Sequence, residues 1–432
     1  MANPAAREYE EPEAGAPPAP RRWYQHLGSA GLAALAAGSI VAALELMMRW
    51  RYYHWPLGGI DEARIAGAGL VLAAVVGQLV PRRFRPGVLA ALGTALIAQL
   101  LGVRGLLVLG YVAVVIGLAR IRRGLAWRVA AVLLLWLALP MVRWTVLPRT
   151  PGPGLMPLIL VWVGLVYSAL YVLVEHRRAE PGRFSLLDDV FYFTAPPRLV
   201  MPFFQPISPG LVQSQAGDMD LRRCARAVTL GLYGAALLWL WALSRQYPPL
   251  PYPPLQAARR FLLYYAGAGG HIFVAIAAFR SLGVDLPSGF KWPFLSRSFA
   301  EFFRRWNHYV RDAVLSLFYF PFLGVLRHWM PRRAAEIVAP YLAILCGSFV
   351  LNDLLVPLTT SADPLRALAR AANPVHLTLQ FLFWSAIILP HQINRRPKTA
   401  NATGWRGWLG RARFLTLYVL LWVAASYVGG HL

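Results

Sequence analysis

Lysine is nearly absent from this chain of 432 residues, appearing only as Lys291 and Lys398, and cysteine occurs twice, at Cys224 and Cys346. Two cysteines far apart, each at or inside an apolar block, build neither a disulfide framework nor a metal cluster, and both read as packing residues. Charge is scarce as well: charged residues make up 14% of the chain against 57% hydrophobic ones, with mean hydropathy +0.48. A chain so poor in charge cannot enclose its apolar surface in a single water-soluble core, so lipid must be its second solvent. There is no Gly-rich phosphate loop with its lysine, no histidine pair at metal spacing and no Gly-x-Ser-x-Gly elbow. No metal and no resident cofactor are therefore expected, and the sequon at Asn401 is a chance match.

The charge that is present is lopsided, with 43 basic against 19 acidic side chains and a formal net charge of +24. Such an excess would suit a nucleic-acid partner if it formed one stripe. Here the arginines sit in the short loops between apolar blocks, where cytoplasmic loop charge explains them, and no nucleic-acid partner is expected.

The first residues are rich in Pro, Ala and Glu, with Glu8, Glu10, Glu11 and Glu13, so residues 1–26 read as a disordered tail. An acidic tail followed by a full-length span differs from a secretory signal, and the first span is expected to be retained. Residues 27–432 read as a single membrane domain, all-α because spanning backbone must satisfy its own hydrogen bonds. Apolar runs of spanning length number roughly eleven or twelve. The first six cover Leu27–Met48, Ala66–Val80, Gly87–Val103, Gly105–Ala119, Val129–Leu147 and Leu155–Val174. The later ones cover Ala225–Ser244, Phe261–Leu282, Val310–Leu326, Ile337–Leu358, Val375–Leu389 and Phe414–Val428. Gly87–Ala119 fits two tight spans or one span with a re-entrant piece. Arg82, Arg83, Arg85, Arg120, Arg122, Arg123, Arg177 and Arg178 fall on one side if the early runs alternate. The loop with Arg395, Arg396, Lys398 and Arg406 breaks that parity, which points to a re-entrant block in the second half.

Between two spans lies a long proline- and aromatic-rich segment, FYFTAPPRLVMPFFQPISPG from Phe191 to Gly210. Broken apolar backbone of this kind survives at membrane depth only where protein or a cavity shields it, which implies an internal chamber. Farther on, Glu301, Arg304, Arg305, His308, Arg311 and Asp312 recur at spacings of three and four. Phe299, Phe302, Phe303, Trp306, Tyr309, Val310 and Ala313 take the opposite face. The pattern predicts an amphipathic helix at the interface running into the next span, with Glu301 and Arg305 placed for an i,i+4 pair. An interfacial anchor of Arg and Trp would show the same periodicity. Glu45 and Arg49 form a second local pair at the edge of the first span.

In order and spacing this stretch resembles the membrane-bound O-acyltransferase (MBOAT) family, in particular the bacterial branch that acetylates exported polysaccharides. The matching places are Gly270, Arg280, Gly283, Leu286, Pro287, Phe290, Pro293, Arg297, Ser298, Phe302, Arg304, Arg305, Trp306 and Asn307, with Phe303 where the family has tryptophan. The segment from Thr194 to Ile207 is similar to the family's proline-containing re-entrant loop, and the resemblance covers roughly residues 185–390. It implies a polytopic bundle around a central tunnel in a bacterial cytoplasmic (inner) membrane, with acyl-CoA as donor. A hydroxyl on an exported glycan or lipid would be the acceptor, and other envelope-biosynthesis proteins the partners. It also implies that Arg304, Arg305, Trp306, Asn307 and His271 line the tunnel or hold the donor.

The family's catalytic base is a histidine in a later span, a few residues after a small Ser or Gly pair. An imidazole near its ordinary pKa can take a proton from an acceptor hydroxyl. In LCGSFVLNDLL, Leu345 to Leu355, that place holds Asn352, followed by Asp353. An amide accepts no proton at neutral pH, and the loss of a base typically costs about 10² to 10⁴-fold in rate. Asp353 and His308 are the candidate replacements, and hydrogen bonding inside the bundle accounts for Asn352 and Asp353 equally well. His271 has Gly267, Gly269 and Gly270 beside it, as suits a packed and hydrogen-bonded ring. The alternative function is a non-catalytic MBOAT-like component of envelope polysaccharide synthesis. A transporter, resting on Glu45, Asp353 and broken helices, ranks last because no internal repeat is present.

Overall fold

The computed structural model describes residues 23–49, 60–121, 124–146, 155–179, 183–200, 207–291, 296, 301, 305 and 308–346. Among these the chain is helical, with one isolated antiparallel bridge between Ala216 and Val284 and no strand. The first helices are α1 (Trp23–Arg49), α2 (Ile60–Leu79), α3 (Arg85–Leu101), α4 (Gly105–Arg120), α5 (Leu125–Val146) and α6 (Leu155–Arg178). Three short ones follow, α7 (Leu186–Thr194), α8 (Pro196–Val200) and α9 (Pro209–Ser214). Then come α10 (Leu221–Ser244), α11 (Pro253–Ser281), α12 (His308–Val314), α13 (Phe320–Trp329) and α14 (Arg332–Ile344). Among the described residues three helical stretches, Tyr24–Arg49, Arg82–Arg120 and Leu221–Ser244, are long and apolar enough to cross a membrane by length and composition, the second being broken at Gly102.

Small side chains take a large share of the buried positions on α1 and α2, while several leucines face outward. Helices α1 and α2 pack together, and Ala33, Ala36, Ala37, Ala66, Ala73 and Ala74 on them are buried, while Leu35, Leu46, Leu72, Leu106 and Leu134 point outward, each more than half exposed. Water would drive the leucines in, whereas lipid is as apolar as leucine and rewards close contact between small residues. The α10–α11 contact follows the same logic: a Cβ at Gly270 would press on Leu238 and on the carbonyl oxygen of Gly234. Helices α1, α2, α10 and α11 pack together, and α4, α5 and α6 form a second group joined to them through α3.

The stretch from Gly87 to Ala119 resolves into two helices. Gly102, at φ 55°, turns the chain through a three-residue 3-10 segment, and neither α3, 17 residues, nor α4, 16 residues, reaches the length of α1. At about 1.5 Å per residue, each is short of a 30 Å hydrocarbon layer. Helix α1 starts at Trp23, inside the expected tail, because its first turn lies along the end of α2, where His26 Nδ1 is 3.1 Å from the carbonyl oxygen of Gln78.

The described first half of the proline-broken segment is folded into the interior. Phe191 to Pro197 are all buried, α7 lies on α3, and α8 contacts α2, α3 and α11. Gly93 permits this, since a Cβ there would overlap the carbonyl oxygen of Thr194. Ser185 starts α7 with a reciprocal capping box to Asp188, which sets the angle at which the segment enters the bundle.

Helix α12 passes into α13 through a π-helical turn, Leu315–Tyr319. Pro321 at the start of α13 lacks an N–H and its ring would crowd the carbonyl of Leu317, a conflict that a wider turn relieves. One loosened carbonyl, that of Ser316, accepts from Arg178 Nη2 at 3.3 Å. Of the predicted amphipathic helix, Glu301 and Arg305 are helical and paired at 2.6 Å, and α12 continues toward the next run. The predicted runs Val375–Leu389 and Phe414–Val428 lie outside the described residues.

Candidate functional site

Polar groups gather at one end of the helices. Asp218 binds Arg82 and Arg85 at 2.7 and 2.6 Å, Asp285 binds Arg226 at 2.7 Å, and Asp189 binds Arg120 at 2.7 Å. Gln78, fully buried near the end of α2, ties the loops together. Its amide donates to the carbonyl of Leu282 at 3.1 Å and accepts from the N–H of Met219 at 2.8 Å. Burial alone would raise the carboxyl of Asp218, but its two guanidinium partners outweigh that and hold it at about 2. At the opposite end Glu45 pairs with Arg49 and Arg64, and Arg259 donates to the carbonyls of Ser244, Tyr247 and Pro248.

From the basic end a polar seam runs into the bundle along α6. Ser168, Tyr171 and Glu175 follow at spacings of three and four and so share one face. Glu175 accepts from the N–H of Gly210 at 2.8 Å, at the head of α9. Tyr171, buried, has Asp312, Glu175, Tyr192 and Arg178 as its charged and phenolic neighbours, so α6, α7 and α12 converge on it. Ser168, fully buried, accepts from Arg198 Nη1 at 2.9 Å.

Arg198 is the unusual member of the seam. Its guanidinium carbon lies 4.5 Å over the ring of Tyr192, whose hydroxyl donates to the carbonyl of Ile207 at 2.5 Å. Among the described residues Nε and Nη2, both buried, have no hydrogen-bond partner. The ring face returns about 0.5–2 kcal/mol. Each unmet buried donor costs about 1–3 kcal/mol, and more when charged.

Beside the seam, His176 Nε2 stands 2.8 Å from Asp189 Oδ1, and the ring rests against Phe184 at 5.1 Å between centroids. Asp189 is buried and anchored by Arg120 on its other oxygen. A carboxylate held in this way accepts from Nε2 and orients the ring, as a partner of a general base does.

Of the residues singled out from sequence, His271 is buried in α11, with Nδ1 2.6 Å from the carbonyl oxygen of Gly267 and its ring edge-on to Trp241. Arg305 pairs with Glu301 and its carbonyl accepts from the N–H of Lys291 at 2.8 Å. His308 begins α12, and the next residue, Tyr309, donates to the carbonyl of Pro287 at 2.6 Å. That bond docks α12 onto the loop after α11. Arg304, Trp306, Asn307, Asn352 and Asp353 lie outside the described residues. Sequence reasoning missed His176, Asp189, Arg198 and the α6 seam. The one available signal was the helical spacing of Ser168, Tyr171 and Glu175 within an apolar run. No protein-family model and no curated protein matches the chain.

Proposed function

We propose that the chain is a multi-pass, membrane-embedded acyltransferase of the MBOAT type. It moves an acyl group, acetyl in the first instance, from acyl-CoA to a hydroxyl of an exported glycan or lipid at the bacterial cytoplasmic membrane. The observation that carries this reading is the burial of the proline-broken α7–α8 segment inside the bundle, next to a polar seam that α12, directly after the motif, reaches with Asp312. Enclosed irregular backbone with inward polar groups suits chemistry on a charged substrate at membrane depth. The motif order from Gly270 to Asn307 supports the same reading.

In this reading Arg304, Arg305, Trp306, Asn307 and His271 line the passage, and Asn352 stands at the reaction centre with Asp353 and His308 as further polar groups. The imidazole missing at Asn352 has an oriented counterpart in His176, held by Asp189. Purified full-length protein with labelled acetyl-CoA and a panel of glycan and lipid acceptors should transfer label, and His176→Gln should reduce transfer by about 10²-fold or more. Thioester left intact across the whole panel would defeat the proposal. The second reading, a binding component without catalysis, is favoured by Asn352 itself. It predicts no transfer by the natural chain and an undisturbed cellular role in the Asn352→His variant.

A further inference from the structure

We propose that Arg198 anchors an oxyanion, a phosphate or carboxylate group carried by a ligand held inside the bundle. Its guanidinium is already committed on two sides, with Nη1 on Ser168 Oγ at 2.9 Å and the face on Tyr192 at 4.5 Å. What remains is the edge formed by Nε and Nη2, buried and without a hydrogen-bond partner among the described residues. That edge presents two parallel N–H bonds, the fork that matches the oxygen pair of a phosphate or carboxylate. An arginine does not shed its proton, so an enclosed one requires an acceptor bearing negative charge.

Other arginines of the bundle show how the requirement is normally met. Arg82, Arg85, Arg120 and Arg226 each have a carboxylate within 2.7 Å. Arg128, fully buried, donates Nη1 to the carbonyls of Leu118 and Ala119 at the C-terminal end of α4, where the helix dipole supplies negative potential, although its Nε and Nη2 also have no hydrogen-bond partner among the described residues. Among the described residues Arg198 has neither, only a hydroxyl and a ring. Its position on a helix wedged between α2, α3 and α11 places the fork within the bundle. The inference does not rest on acyl transfer, because a lipid headgroup, a free anion and a coenzyme A phosphate all carry the chemistry it names.

The test uses the full-length chain in detergent, with thermal shift and titration calorimetry against inorganic phosphate, acetate, coenzyme A and a short-chain phosphatidate. At least one of the four should bind the natural protein, and Arg198→Gln should weaken it roughly tenfold or more. Arg198→Lys, which keeps the charge and loses the fork, should fall between. Binding of phosphate or acetate alone identifies a free anion, of phosphatidate alone a lipid headgroup, and of coenzyme A alone a donor handle. Arg198→Met should raise the thermal midpoint of the ligand-free protein, by removing an unmatched buried charge, and abolish the ligand-induced shift. The proposal is overturned if none of the four binds, if binding survives Arg198→Gln, or if Arg198→Met destabilises the ligand-free protein.

Discussion

Asp218 is shared by two guanidinium groups on the α2–α3 corner, and its carboxyl is depressed from 3.8 to about 2. A carboxyl lowered in the folded state adds stability that is fully present above its unfolded value and is lost as pH falls through the folded one. The stability difference between the natural chain and Asp218→Asn should therefore be flat from neutral pH down to about 4 and shrink between 4 and 2. Thermal midpoints at stepped pH in one detergent check this, and a difference that shrinks on the alkaline side instead would refute it. At this scale, local pairs were legible and distant ones were not. Glu45 with Arg49 and Glu301 with Arg305 announce themselves by a separation of four. Asp189 meets His176 and Arg120 across 13 and 69 residues, and Gln78 meets Leu282 across 204, separations that only the packing of helices can close.

On α1 the alanines Ala33, Ala36 and Ala37 are buried while Leu35 and Leu46 point outward, which gives neighbouring positions opposite sensitivities. Ala36→Leu should force α1 away from the helices packed on it and cost about 1–3 kcal/mol. Leu35→Ala removes only lipid-facing surface and should change stability by about 0.5 kcal/mol or less. Detergent thermal unfolding of both variants decides, and the reverse order would place this surface in water. Element extents were readable where an apolar run ends in charge, as at Ser244 of α10 or Gly105 of α4. Sequence left Gly87–Ala119 open between two arrangements, since nothing in the run announces the positive φ at Gly102. The broken segment after Phe191 was legible as shielded backbone, because proline and buried carbonyls demand it. That Arg198 turns its fork inward was not, since an arginine in such a loop is equally suited to a headgroup.

At the scale of the molecule, alternating helices place two chemically different ends opposite each other, one with Asp218, Asp189 and Asp285 in ion pairs, the other with Glu45 and Arg259. In the proposed reading the arginine distribution would place the first end at the cytoplasm. Everything proposed for the interior depends on this bundle lying in a bilayer with its ends on opposite faces. Ser214 lies just before α10 at the basic end and Tyr247 just after it at the other, both exposed. With Cys224 and Cys346 replaced by alanine, Ser214→Cys and Tyr247→Cys reporters can be challenged in intact spheroplasts with a membrane-impermeant maleimide. The account predicts labelling at Tyr247→Cys at once and at Ser214→Cys only after permeabilisation; labelling of both from the same side would contradict it.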